Sequence, residues 1–127
     1  MSEPSERIVV TTTVAIIGAG PAGLMLSHLL ARSDIDSVVV DVSTRAQIEG
    51  VKRAGILEAN AARMLTDTGV SDRILTDGRE HTGTQIRFAG RGHRIDFQKL
   101  VGESVWLYPQ NLVFRDLADA RARDGGV

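Results

Sequence analysis

The chain has 127 residues, the length of one domain, and 43% hydrophobic and 24% charged residues make it globular rather than disordered or fibrous. Its 15 basic and 16 acidic residues leave a net charge of −1; they are dispersed, so no cationic stripe argues for a nucleic-acid partner. Cysteine is absent, which excludes disulfides, thiol nucleophiles and cysteine metal sites and fits a reducing compartment.

The N-terminus, MSEPSERIVV, lacks the cationic and apolar regions of a signal peptide. No apolar run approaches the ~20 residues of a membrane span. The expectation is a soluble, cytoplasmic protein without a membrane partner. Residues 1–12 read as a tail and 13–127 as one domain. From Val14 the sequence runs Val-Ala-Ile-Ile into Gly18, which predicts a strand buried on both faces of a parallel sheet. Gly18-Ala19-Gly20-Pro21-Ala22-Gly23 follows, and then Leu24, Met25, Leu26, Leu29 and Leu30 recur at helical spacing. After Ser33-Asp34-Ile35-Asp36 comes a second apolar strand, Val38-Val39-Val40, ending at Asp41. Strand, glycine turn, helix and strand make a βαβ unit with a right-handed crossover.

Residues 43–55 show no clean period and read as a loop. A helix is predicted over 56–68, with Leu57, Ala61, Met64 and Leu65 facing inward and Gly69 as its C′ residue. Ser71 to Leu75 read as a short capped turn. Alternation over 84–88 and 93–97, around Gly90-Arg91-Gly92, predicts a β-hairpin with Ile86, Phe88, Ile95 and Phe97 on its buried face. Arg87, Arg91 and Arg94 then form a solvated basic edge. Val105 to Tyr108 read as another short strand, halted by Pro109. A last helix over 111–123 turns Val113, Leu117 and Ala120 inward. His28 reads as a surface or boundary residue, His81 and His93 as packing residues, and Met64 and Trp106 as core; no metal site is expected.

The chemistry concentrates at Gly18-x-Gly20-x-x-Gly23. Gly18 permits the tight turn, Gly20 lets a pyrophosphate approach the backbone, and Gly23 lets the helix close on the sheet. Pro21 suits the first helical turn. Asp41 ends the second strand, where a carboxylate accepts hydrogen bonds from ribose hydroxyls and repels a 2′-phosphate. The bland alternative is a glycine-rich turn with no ligand. A strand before it, a helix after it and the acid at the next strand end favour a dinucleotide site, without saying which dinucleotide.

Val14-Ala-Ile-Ile-Gly-Ala-Gly-Pro-Ala-Gly-Leu-Met-Leu resembles the ADP-binding fingerprint of flavoproteins. Lys52-Arg53-Ala54-Gly55-Ile56-Leu57-Glu58 resembles the R-A-G-V-L-E stretch of the p-hydroxybenzoate hydroxylase family of FAD-dependent aromatic hydroxylases. Asp77-Gly78-Arg79-Glu80-His81-Thr82-Gly83, Ile86-Arg87-Phe88-Ala89-Gly90, Arg94-Ile95-Asp96 and Tyr108-Pro109-Gln110 also have counterparts there, in order, so the resemblance covers about residues 13–123. It implies an α/β fold: a Rossmann-like βαβ FAD-binding domain of the glutathione-reductase type, with an added β-hairpin, incomplete in this chain. It also implies FAD as cofactor, NADPH or NADH as co-substrate, and insertion of one oxygen from O₂ ortho to a phenol such as 4-hydroxybenzoate. The full-length protein would be a homodimer on this resemblance.

Roles carry over by position. Asp41 stands where the family has an acid, usually Glu, on the adenosine ribose. Arg53 matches an arginine on the pyrophosphate and ribityl region. Val51, Lys52, Arg53, Ala54, Gly55 and Ile56 match a loop along the flavin, and Gln110 matches a glutamine on the ribityl chain. Three positions depart from the pattern. Val51 and Val42 replace arginines at expected NADPH contacts, leaving NADPH against NADH open, with Arg45 and Lys52 as partial substitutes. Ala22 replaces a serine that meets the pyrophosphate, leaving only its backbone N–H. The substrate-binding and catalytic residues are expected outside this chain, so the 127-residue piece alone is expected to be inactive. The rival readings are an NAD-dependent dehydrogenase fragment, a vestigial nucleotide-binding module, and a hydroxylase for a related phenol.

Overall fold

The computed structural model describes residues 9–126, so positions 1–8 of the expected tail lie outside the described residues. β1 (Val14–Ile17) runs through the glycine turn into α1 (Pro21–Arg32), and the chain returns as β2 (Ser37–Val40). The two strands pair in parallel, with Val14 opposite Ser37 and Ile17 opposite Val40. Pro21 occupies the start of α1, where a missing N–H breaks no helical bond. Helices cover only one face of this pair, however. Ile16 is buried while Ile17 is 83% exposed, so β1 is not the doubly buried strand its apolar run predicts.

α1 is held to β2 by the Ser27 and Ser37 hydroxyls, 2.9 Å apart. His28, expected near the surface, is buried. Its Nε2 lies 2.9 Å from the Thr68 carbonyl and its Nδ1 3.5 Å from the Asp124 carboxylate. Segments far away in sequence cover it, which no local pattern announces.

The stretch 43–55 holds α2 (Arg45–Gly50) rather than a continuous loop. A capping box starts it: Thr44 N–H donates to Gln47 Oε1 at 2.8 Å and Gln47 N–H to Thr44 Oγ1 at 3.3 Å. A helix this short completes fewer than two turns of ~3.6 residues, so it shows no apolar period. β3 (Ile56–Glu58) then precedes α3 (Ala59–Asp67), and the helix predicted from position 56 starts at Ala59. Its expected first residues pair instead with β7 (Val105–Leu107), antiparallel, and β4 (Arg79–His81) pairs with the other edge of β7. α3 consequently buries Ala59, Ala62 and Leu65, while Met64 is 41% exposed rather than core. Gly69 follows the helix at φ 79, in the C′ role expected of it. α4 (Arg73–Asp77) starts where Ser71 Oγ accepts the Arg73 N–H at 3.1 Å.

β5 (Gly83–Phe88) and β6 (Arg91–Asp96) form a separate two-stranded antiparallel sheet. Their turn is Ala89-Gly90, with φ of 49 and 74, the positive pair that a primed hairpin turn requires. It falls one position before the predicted Gly90-Arg91-Gly92. The face expected to be buried is open: Ile86 is 53% and Phe88 83% exposed. Phe97 begins α5 (Phe97–Val101), where Asp96 caps the Lys99 N–H at 3.1 Å.

β7 passes through Tyr108 and Pro109 into α6 (Gln110–Arg123), which buries Val113, Leu117 and Ala120 as predicted. The core lies among α1, α3, α4 and α6, where Leu24, Leu65, Ile74, Phe114 and Leu117 meet. Among the described residues no helix is long and apolar enough to cross a membrane.

Candidate functional site

The glycine turn carries constraints that a side chain would break. Gly18 sits at φ 110, a conformation glycine adopts freely. A Cβ on Gly23 would collide with the Gly18 carbonyl oxygen, so glycine lets the first turn of α1 close on the strand. At Gly20 a Cβ would meet nothing within 4 Å; the space above that backbone is open. α1 starts there without a side-chain cap, leaving its first-turn N–H groups, Ala22 included, and its positive dipole end for an anion.

Asp41 joins this turn to the loop after β2. Its Oδ2 accepts the Ala19 N–H at 2.8 Å and its Oδ1 the Ser43 N–H at 2.7 Å. The Ser43 amide and then the Ala19 amide hold its carboxyl below the ordinary carboxylate range. Each oxygen keeps a lone pair for a further donor.

A cleft of about 380 Å³ opens beside these groups, lined by Gly20, Asp41, Val51, Arg53 and Gln110 of the predicted set. Ser43, Gln47, Asn111 and Phe114 line it too, and sequence reasoning misses them. Signals for three exist in retrospect: Ser43 stands two places after the strand-end acid, Gln47 closes a capping box, and Asn111 adjoins Gln110. Ala54, Gly55 and Ile56 lie instead in a second, more apolar cleft of about 530 Å³. Pro21 and Gln110 line both, so the clefts meet. Gly18 and Gly23 shape the turn without lining either cleft, and Lys52 is exposed outside both. Arg45 is committed to Glu49 and Asp119, whereas Arg53 makes no ion pair among the described residues.

One wall is a close crossing of two distant segments. Gly55 accepts the Tyr108 N–H at 3.0 Å and the Arg53 carbonyl accepts the Gln110 N–H at 3.4 Å. A Cβ on Gly55 would collide with the Tyr108 carbonyl oxygen. Beneath the crossing, the buried Tyr108 hydroxyl donates to Asp116 Oδ2 at 2.6 Å, and Arg73 donates to Asp116 Oδ1 at 2.8 Å. Burial and then the Asp116 carboxylate push the Tyr108 phenol above its ordinary value.

Comparison with known proteins agrees with this architecture. Residues 11–127 match the FAD binding domain family. The chain is 38% identical over 115 residues to the p-hydroxybenzoate hydroxylase of Acinetobacter baylyi, covering 90% of this chain and 28% of that protein. It is 35% identical over 117 residues to a 3-(3-hydroxy-phenyl)propionate/3-hydroxycinnamic acid hydroxylase of Burkholderia vietnamiensis, covering 88% of this chain and 21% of that one. The chain thus spans under a third of the length of these curated relatives. Among solved structures, P. aeruginosa PqsL in complex with 2-aminobenzoylacetate gives a TM-score of 0.79 at 21% identity, over 90% of this chain and 31% of that one. That likeness shows the fold, an incomplete Rossmann-like α/β domain. With its βαβ unit, its glycine turn and the family match across residues 11–127, the chain belongs to the FAD binding domain family.

Proposed function

We propose that residues 13–127 are the N-terminal part of the FAD-binding domain of an aromatic monooxygenase and that the 380 Å³ cleft takes the ADP half of FAD. The observation that carries this is the convergence on one cleft of an uncapped helix N-terminus, the Asp41 carboxylate and Arg53, which makes no ion pair among the described residues. Gly18, Gly20, Ala22 and Gly23 form the turn whose N–H groups receive the pyrophosphate, and Arg53 offsets its charge. Asp41 takes the ribose hydroxyls with its spare lone pairs. Gln110, shared by the two clefts, receives the ribityl chain; Ala54, Gly55 and Ile56 border the flavin from the second cleft, Val51 lines the ADP cleft, and Lys52 stands exposed beside the loop.

When bound, FAD supplies the redox chemistry, drawing electrons from NADPH or NADH and oxygen from O₂. This chain's residues bind and orient it. In the full-length enzyme the substrate is a small aromatic compound. The 38% identical relative favours 4-hydroxybenzoate, converted to 3,4-dihydroxybenzoate. A cytoplasmic homodimer with no nucleic-acid or membrane partner completes the reading. The 127-residue chain alone hydroxylates nothing.

Titration of the purified chain with FAD tests the binding, read by the flavin spectrum and by the fluorescence of the single Trp106. Saturable uptake of one FAD is expected. Uptake of NAD⁺ with indifference to FAD would replace this reading with the dehydrogenase one.

A further inference from the structure

We infer that Tyr108 and Asp116 are positioning residues for the cofactor, acting through Gln110; the inference rests on the FAD reading of the cleft. Neither residue lines the first cleft. Both are buried, Tyr108 fully and Asp116 to 3% exposure. The phenol of Tyr108 and the guanidinium of Arg73 occupy the two oxygens of Asp116, so one carboxylate joins the segment after β7, α4 and α6.

The geometry makes this network a stop for Gln110. Tyr108 is fixed at both ends, by its backbone N–H on Gly55 and by its hydroxyl on Asp116. Pro109 follows at φ −54, and its ring removes the φ freedom that would let Gln110 move independently. Gln110 then starts α6, and its N–H, free of any helical bond, goes to the Arg53 carbonyl. Asp116 lies on the same helix, so the carboxylate that holds Tyr108 also sets how far α6 sits from that crossing. Releasing the phenol lets Tyr108 and, with it, Gln110 shift relative to the cleft. Burial alone does not require this arrangement. A phenylalanine would fill the same space without placing a carboxylate 3% exposed under the site.

A double-substitution cycle separates positioning from general stabilisation. The wild type, Tyr108→Phe, Gln110→Ala and the double variant are each titrated with FAD, and their melting midpoints are recorded. Tyr108→Phe is expected to weaken FAD about tenfold in the wild type, the scale of one lost hydrogen bond to a charged group. In the Gln110→Ala background it is expected to change FAD affinity by less than about twofold, while lowering the melting midpoint as much as before. The same loss of affinity in both backgrounds, or none in the wild type, overturns the inference and leaves FAD binding intact. A wild type that takes up no FAD overturns the underlying reading and this inference with it. If Tyr108→Phe does not fold, Asp116→Leu, which keeps the branched shape and removes both acceptors, enters the same cycle with the same expectations.

Discussion

Asp41 Oδ2 accepts the Ala19 N–H at 2.8 Å, so the acid at the end of β2 closes the glycine turn as well as facing the cleft. Its other oxygen takes the Ser43 N–H. Both bonds require an acceptor. Asparagine offers one oxygen and one NH₂, and the NH₂ would oppose a backbone N–H. Asp41→Asn is therefore expected to weaken FAD binding by about tenfold or more, as loss of a charge-assisted hydrogen bond does. The pH dependence follows from the lowered carboxyl pKa, whose ordinary value is 3.8. A depressed folded-state value means that the stabilisation is present above the ordinary value and is lost as pH falls through the folded one. The difference in melting midpoint between wild type and Asp41→Asn should narrow on acidification from about pH 6 to about pH 3. A difference that stays constant over that range rules out this role for the carboxylate.

The glycines of the turn are not equivalent. Gly23→Ala drives a Cβ into the Gly18 carbonyl oxygen, and separating α1 from the strand should cost about 1–3 kcal/mol, the usual scale of overpacking. Gly20→Ala meets no atom within 4 Å, and its φ of −69 with ψ of 175 suits any residue. It should leave stability within about 0.5 kcal/mol of wild type while obstructing the pyrophosphate. Denaturant titration paired with FAD titration distinguishes the two. Equal effects of both substitutions on stability would contradict the assignment.

What the sequence discloses here depends on how local each cause is. The β1–turn–α1–β2 unit is legible because its signals, an apolar run, three spaced glycines and a strand-end acid, lie within one stretch of chain. α2 has a readable start in Thr44 and Gln47 but is too short for a period. β3 and β4 exist only because β7 runs between them; three-residue strands carry no pattern of their own, and pairing overrode the helical spacing from Ile56. The site divides in the same way. Gly20, Asp41, Arg53 and Gln110 follow from motifs, and Ser43, Gln47 and Asn111 have local signals beside them, whereas Phe114 reaches the cleft only through the packing of α6. The burial of His28 by Thr68 and Asp124 is likewise a tertiary fact.

The hairpin separates amphipathy from burial. Alternation places Ile86 and Phe88 on one face, but coverage of that face requires a neighbour, and Phe88 is 83% exposed. An exposed phenylalanine contributes little to folding, so Phe88→Ser should change the stability of this chain by less than about 0.5 kcal/mol. It should also reduce self-association, because an open apolar hairpin invites edge and face contacts. Equilibrium denaturation and light scattering read the two effects. A loss of several kcal/mol, comparable to the ~2–5 kcal/mol of a truncated core side chain, would mean that the face is covered in solution.

Tyr108 is the single tyrosine of the chain, so the ultraviolet absorbance of phenolate reports on it without interference. Burial, and after it the Asp116 carboxylate, raises its pKa above the ordinary 10.0. For a group whose folded value is raised, the stabilisation is complete below the ordinary value and is lost as pH rises toward the folded one. Phenolate should therefore stay absent through pH 10.0 and appear together with the loss of the folded circular-dichroism signal, since a phenol held between Asp116 and the core must leave both to ionise. Asp116→Asn removes the repelling carboxylate and leaves Arg73, which favours the phenolate, so its phenolate should form at lower pH than in the wild type. Ionisation centred on 10.0 in the folded wild type, with no structural change, would show that the phenol is neither desolvated nor bound to Asp116.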